Sequence, residues 1–308
     1  MNCVLGFDGG GTKTECVAMD LSGTVIARGR GPASNPTRIG FEAAADGVKQ
    51  AAQTTLAKLS EQPTIAALCA GLAGTAQPQN RDRMETLLQE AFPGVRIAVC
   101  TDLDLALAAM PQGPAMVLVV GTGSAAVGRD GAGRRLREGG YGPAGSDEGS
   151  AFDIGRLALG ASRSAAAGDA GMELARQILR HLGCVDWAAV DAKAALAADD
   201  VYPRVFPVVA ASADAGNSLA QFVLNDAAGK LAAIALRLAQ TLEIANTKFP
   251  LGRTGGTVGR SHFFDQALDS RLRAKLPDAV IGPVPEDAAY TAARLALRQA
   301  LDREEAAR

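Results

Sequence analysis

The chain has 308 residues, 48% of them hydrophobic and 21% charged, with a net charge of −2. That length can bury two cores, and without a basic block the charge argues against nucleic acid or an anionic membrane surface as a partner. Five scattered cysteines with no Cys-x-x-Cys, and only two histidines (His181 and His262), argue against a disulfide framework, a multi-histidine metal site and a Ser-His-Asp triad.

In chain order, Cys3 to Asp8 predicts a short buried strand, followed by Gly9-Gly10-Gly11-Thr12-Lys13-Thr14. Residues 15–19 and 24–28 predict two more strands at hairpin spacing, which together make an antiparallel meander. Phe41, Ala44, Val48, Ala51, Ala52, Leu56 and Leu59 recur at helical period, and a strand (64–70), a helix (81–92) and a strand (95–101) follow. Pro111-Gln112-Gly113-Pro114 reads as a linker, after which the pattern restarts: a strand over 115–120, Gly121-Thr122-Gly123-Ser124, a strand over 125–128 and a turn over 129–133. Val117-Leu118 lie 113 residues beyond Val4-Leu5, so each strand runs into a glycine-hydroxyl turn and a second strand, the mark of an internal duplication. Beyond residue 150 the chain reads as helices (150–162, 169–182, 187–198, 203–212 and 218–246), broken by Gly255-Gly256-Thr257-Val258-Gly259 and closed by a helix over 287–306. The segment 248–253 is a poor strand by composition. No run reaches bilayer length and the first residues do not form a signal peptide, so the expected location is the cytoplasm.

Chemistry concentrates in four places. In Asp8 to Thr14, the glycines let backbone N–H groups approach an anion, Lys13 adds a cation, and Thr12 and Thr14 add hydroxyls; an ordinary glycine hairpin is the plainer reading. Asp8, ending its strand, suits a hydrated Mg2+. Gly121 to Ser124 is a second candidate phosphate turn. Asp102, following Thr101, suits the acceptor of a hydroxyl proton in phosphoryl transfer, or else the N-cap of a helix over 103–110. The glycine-dense stretch from Gly139 to Ser150 reads as a binding loop, in which Asp147 or Ser150 also suits a helix cap.

These motifs, in this order, resemble the N-acetylglucosamine kinase branch of the BadF/BadG/BcrA/BcrD ATPase family, within the sugar kinase, Hsp70 and actin superfamily. The resemblance spans most of the chain and is strongest over residues 1–160. It implies an α/β fold of two ribonuclease-H-like domains with an interdomain ATP cleft: residues 1–112, residues 113–285 with a helical insertion, and a terminal helix (286–308) packing back on the first domain. It further implies Asp8 as the Mg2+ residue and Asp102 as general base. ATP contacts fall to Gly10, Gly11, Thr12, Lys13, Gly121, Thr122, Gly123, Ser124, Gly255 and Gly256, and substrate contacts to Asn35, Asp102, Thr122, Tyr141 and Asp147. The implied activity is ATP-dependent phosphorylation of an N-acetylhexosamine by a homodimer. Tyr141 stands where the family often has Trp, Pro143-Ala144 depart from its loop, and Gly71-Leu72-Ala73-Gly74 lacks polar groups. An iron–sulfur dehydratase activator is disfavoured, since residues 101–183 hold no cysteine. A ROK kinase is disfavoured by the missing Glu-x-Gly-His and zinc motifs. A non-catalytic sugar or nucleotide sensor is the remaining alternative.

Overall fold

The computed structural model describes residues 2–142, 146–164 and 168–306, and the chain divides into two units. One comprises residues 1–109 with 285–308, the other residues 110–284.

In the first unit, β1 (Asn2–Gly9), β2 (Thr14–Asp20) and β3 (Val25–Gly31) form the antiparallel meander, and β4 (Thr64–Leu72) and β5 (Arg96–Cys100) join it in parallel, in the order β3-β2-β1-β4-β5. Parallel neighbours require crossovers. Between β3 and β4 these are α1 (Pro36–Ile39) and α2 (Phe41–Leu56), and between β4 and β5 the crossover is α3 (Pro78–Ala91). Strands buried on both faces read as continuous apolar runs, and β1 and β4 do. On one face Leu5, Phe7 and Leu68 pack with Ala44, Val48, Met84 and Leu88. On the other, Val4, Val17 and Cys69 meet Leu105 of α4 (Asp102–Ala108) and an alanine stripe, Ala289, Ala292, Ala293 and Ala296. That stripe belongs to α11 (Ala288–Ala306). Its approach is close enough that a Cβ on Gly6 would lie 2.0 Å from the Ala293 nitrogen. A chain poor in aromatics builds this core from small side chains.

The second unit repeats the topology. β6 (Ala115–Val120), β7 (Ser124–Arg129) and β8 (Arg135–Gly139) are antiparallel, and β9 (Phe249–Thr254) and β10 (Ala279–Pro283) run parallel to β6, giving β10-β9-β6-β7-β8. The expectation that 248–253 makes a poor strand is overturned. Phe249 and Leu251 are buried, Gly252 makes room for Met110 and Val284, and Arg253 is paired with Asp269 at 2.7 Å. A β9 read by composition alone hides its strand character behind a proline, a glycine and a neutralised charge.

The helices are α5 (Ala151–Ser162), α6 (Gly168–Leu182), α7 (Trp187–Val201, kinked at Ala197), α8 (Phe206–Asp214), α9 (Ser218–Thr241) and α10 (His262–Lys275). The expectation that no run reaches bilayer length also needs correction, because the 24-residue α9 is long and apolar enough to cross a membrane. In this fold its apolar residues, from Ala220 through Leu231 to Ala239, line the second unit's core.

Candidate active site

In the first unit, Asp8 of β1 lies opposite Gly71 of β4, and Gly71 lies opposite Cys100 of β5. The carboxyl ends of the parallel strands therefore finish together, which is where ligands bind in open α/β sheets. After Gly9 the chain turns sharply, with Gly10 N donating to Lys13 O at 3.0 Å. Ser34 fastens the turn: its N donates to Gly10 O, and its hydroxyl accepts from Thr14 Oγ1 at 2.7 Å. Gly9 is buried against that hydroxyl. Thr14 is therefore internal, whereas Thr12 and Lys13 are exposed. Lys13 is drawn sideways onto Glu15, Nζ to Oε1 2.6 Å, and Arg30 reaches the same oxygen at 3.1 Å.

Asn35 caps α1, its Oδ1 accepting from Thr37 N (3.0 Å) and Thr37 Oγ1 (2.7 Å). Gly74, at φ +89°, leaves room for that side chain, because a Cβ there would stand 2.4 Å from Asn35 Oδ1. The apolar loop Gly71–Gly74 thus makes room for Asn35 by having no side chain at Gly74. The cap also carries Arg38, one turn on, across the glycine turn: a Cβ on Gly11 would lie 2.8 Å from Arg38 Nη1. Sequence reasoning passed over Arg38; its signal was its place one turn after an Asn-Pro cap.

Thr101, not Asp102, is the N-cap of α4. Its hydroxyl accepts from Asp104 N at 3.0 Å, and Asp104 Oδ2 accepts in return from Thr101 N, a reciprocal capping box. Capping therefore does not account for Asp102, which is the first helical residue. Burial above all, then the negative charges of Asp102, Glu15 and Asp287, push the Asp8 carboxyl up to about 6 against a smaller opposing pull from Lys13. Asp8 and Asp102 thus feel each other's negative charge. Among the described residues no three His, Cys, Asp or Glu side chains converge as a metal cage. One carboxylate with water and phosphate completing the shell is the donor set Mg2+ commonly takes, so Asp8 fits such an ion.

In the second unit the corresponding turn follows β6. Gly121 N donates to Gly123 O (2.8 Å), while Gly121 O and Thr122 O accept from Ala151 N and Phe152 N at the start of α5. Ser124 is 2% exposed, its N donating to Asp147 Oδ1 (3.3 Å) and its hydroxyl to Glu148 O (2.7 Å). Its donors therefore tie the turn to the Asp147 loop. A Cβ on Gly123 would stand 2.9 Å from Asp147 Oδ1, so glycine there lets the carboxylate approach the turn. Burial raises the Asp147 pKa against the Ser124 N–H.

Beneath the loop, Asp153, 8% exposed, accepts from Gly149 N (3.0 Å), Lys230 Nζ (2.8 Å) and Arg156 Nη2 (2.7 Å). Ser150 is the cap of α5, bonded to Asp153 N. Tyr141 is 67% exposed under the guanidinium of Arg137, 4.3 Å from the ring centroid. Pro143 and Ala144 lie outside the described residues. At the end of β9, Gly255 takes φ +113° against Val120, whose carbonyl accepts from Thr257 N (3.1 Å) and Oγ1 (2.8 Å). This sets Gly256 beside Gly121.

A doubled β-meander sheet, with a glycine turn closing the first hairpin of each copy, defines the sugar kinase/actin-like ATPase fold. The model of the BadF/BadG/BcrA/BcrD ATPase family matches residues 5–286, and the chain belongs to that family. It is 26% identical over 312 residues to an N-acetyl-D-glucosamine kinase of Dictyostelium discoideum, covering 95% of this chain and 97% of the relative. It is 25% identical over 308 residues to an N-acetylmuramic acid/N-acetylglucosamine kinase of Clostridium acetobutylicum, covering 96% and 98%. Among solved structures, one from Chromobacterium violaceum, described as a candidate N-acetylglucosamine kinase, superposes with a TM-score of 0.76 at 26% identity, covering 95% of this chain and 98% of that one.

Proposed function

We propose that this protein transfers the γ-phosphoryl group of ATP to a hydroxyl of an amino sugar, N-acetylglucosamine or a related N-acetylhexosamine. The observation that carries the reading is Asp102. It stands at the carboxyl end of the sheet, relieved of capping by Thr101, in the unit that holds the glycine turn and Asn35. Both full-length kinase relatives act on sugars of this class by name.

In the first unit, Gly10, Gly11, Thr12 and Lys13 receive phosphate oxygens, Asn35 holds sugar hydroxyls, and Asp102 orients the attacking hydroxyl and accepts its proton. In the second, Gly121, Thr122, Gly123 and Ser124 form the other phosphate turn, Gly255 and Gly256 underlie the adenosine, and Thr122, Tyr141 and Asp147 contact the sugar. Asp8 would hold Mg2+ through water; when bound, the ion neutralises charge developing on the phosphates.

Five free thiols, with burial pushing Cys3 up to about 11 and Cys16 up to about 12, support a cytoplasmic enzyme. A homodimer, argued from the resemblance, completes the proposal and is checked by light scattering. The test of the activity is 31P NMR of ATP incubated with N-acetylglucosamine and Mg2+. A sugar phosphomonoester appearing in step with ADP supports the reading; ADP with inorganic phosphate, independent of sugar, refutes it.

A further inference from the structure

The cation that sits on the first glycine turn is Arg38. Lys13, the basic residue within the turn, is held by Glu15 at 2.6 Å, and that carboxylate is shared with Arg30. Its charge is therefore matched locally by a group outside the turn. Arg38 lies along the turn itself. The Asn35 cap shapes α1, Arg38 N donates to Asn35 O at 3.1 Å, and the guanidine chain runs along Gly11, with Nη1, Cδ and Cζ 2.8, 3.1 and 3.6 Å from where a Cβ would lie. Any side chain at position 11 would displace it, so glycine there seats Arg38 as well as freeing the backbone.

Asp8 and Asp102 lie in the same unit and feel each other's charge, and bringing a triphosphate there calls for a cation. A guanidinium is suited to this, because it stays charged, donates in a planar fork and matches two phosphoryl oxygens at once.

We propose that Arg38 is a catalytic residue that grips the γ-phosphoryl oxygens as they are transferred, an inference that rests on the kinase reading of this turn. The bond between the γ-phosphorus and the bridging oxygen breaks, and its electron pair stays on the β-phosphate of ADP. The sugar oxygen bonds to phosphorus, and the hydroxyl proton passes to the Asp102 carboxylate. Arg38 neutralises the equatorial oxygens throughout, a contribution that strengthens in the transition state.

The experiment compares full-length wild type, Arg38→Ala and Arg38→Lys. Arg38→Ala is expected to lose about 10²–10³-fold in kcat with N-acetylglucosamine. Its affinity for MgADP, measured by calorimetry, should stay within about threefold, because ADP lacks the γ-phosphoryl group. Arg38→Lys should recover part of the loss, and added guanidinium should accelerate Arg38→Ala but not the wild type. A kcat within threefold of wild type overturns the inference. So does a loss that neither Lys nor guanidinium relieves and that comes with an equal loss of MgADP binding.

Should the wild type show no sugar-dependent turnover, the kinase reading falls, and the ratio of MgATP to MgADP affinity decides the placement of Arg38 by itself. A ratio reduced in Arg38→Ala supports a γ-phosphoryl contact, and an unchanged ratio refutes it.

Discussion

Asp8→Asn should make the protein more stable at neutral pH. The Asp8 carboxyl, at 3.8 in the open, is raised to about 6 in the fold by burial and by neighbouring acids. The fold therefore holds this proton more tightly than the unfolded chain does, and ionising Asp8 penalises the native state. The penalty is absent below about pH 4, grows between pH 4 and 6, and is complete above that range. At ~1.4 kcal/mol per tenfold, the full effect is about 3 kcal/mol, and partial solvent access reduces it to about 1–3 kcal/mol. Asparagine keeps the shape without the charge, so the variant should melt a few degrees above wild type at pH 8. At pH 4 the two should melt nearly together. Scanning calorimetry in EDTA at both pH values measures this. A variant that is less stable at pH 8, or that differs equally at both, refutes the reasoning. A native residue that destabilises its own fold belongs with function, and the same substitution should weaken the Mg2+ dependence of turnover.

Other outcomes follow from the same geometry. Asp102→Asn should lower kcat by about 10²–10⁴ while calorimetry still detects MgATP binding; unchanged turnover removes the base assignment. Asp147→Ala should raise KM for the sugar more than KM for ATP, since the proposed reading assigns this carboxylate to the sugar; because it also accepts from Ser124 N in the phosphate turn, equal changes would speak for a structural role. Gly9→Ala places a Cβ 2.0 Å from Ser34 Oγ and 2.5 Å from Leu72 Cδ2, and should cost about 1–3 kcal/mol in urea unfolding. Lys230→Met leaves Asp153 with Arg156 as its remaining ion-pair partner and should lower the melting temperature at pH 8, an effect shrinking as Asp153 protonates in acid.

What the sequence carried legibly was whatever is dictated locally. The apolar runs of β1, β4 and β6 are buried on both faces, so their composition alone identifies them. Hairpin spacing and turn glycines revealed the first meander and the first hairpin of the second, and the 113-residue offset marked the repeated topology. What it hid depends on distant partners. β9 is a strand because Gly252 meets Met110 and Val284 and because Asp269 neutralises Arg253. β8 and β10 are short edge strands of mixed burial and have little pattern of their own. At the site, glycines and aspartates were visible as motif letters. Whether Thr101 or Asp102 caps α4, and whether Lys13 or Arg38 sits on the glycine turn, depended on hydrogen bonds and side-chain paths that spacing does not encode.

The central claim is sugar-dependent phosphoryl transfer, and the most direct test is ADP release from MgATP against a panel of N-acetylglucosamine, N-acetylmuramic acid, glucosamine and glucose. The account predicts strong stimulation by an N-acetylhexosamine over the sugar-free rate, lowered about 10²–10⁴-fold by Asp102→Asn. MgATP binding with no stimulation by any sugar would contradict it and favour a nucleotide sensor on the same fold.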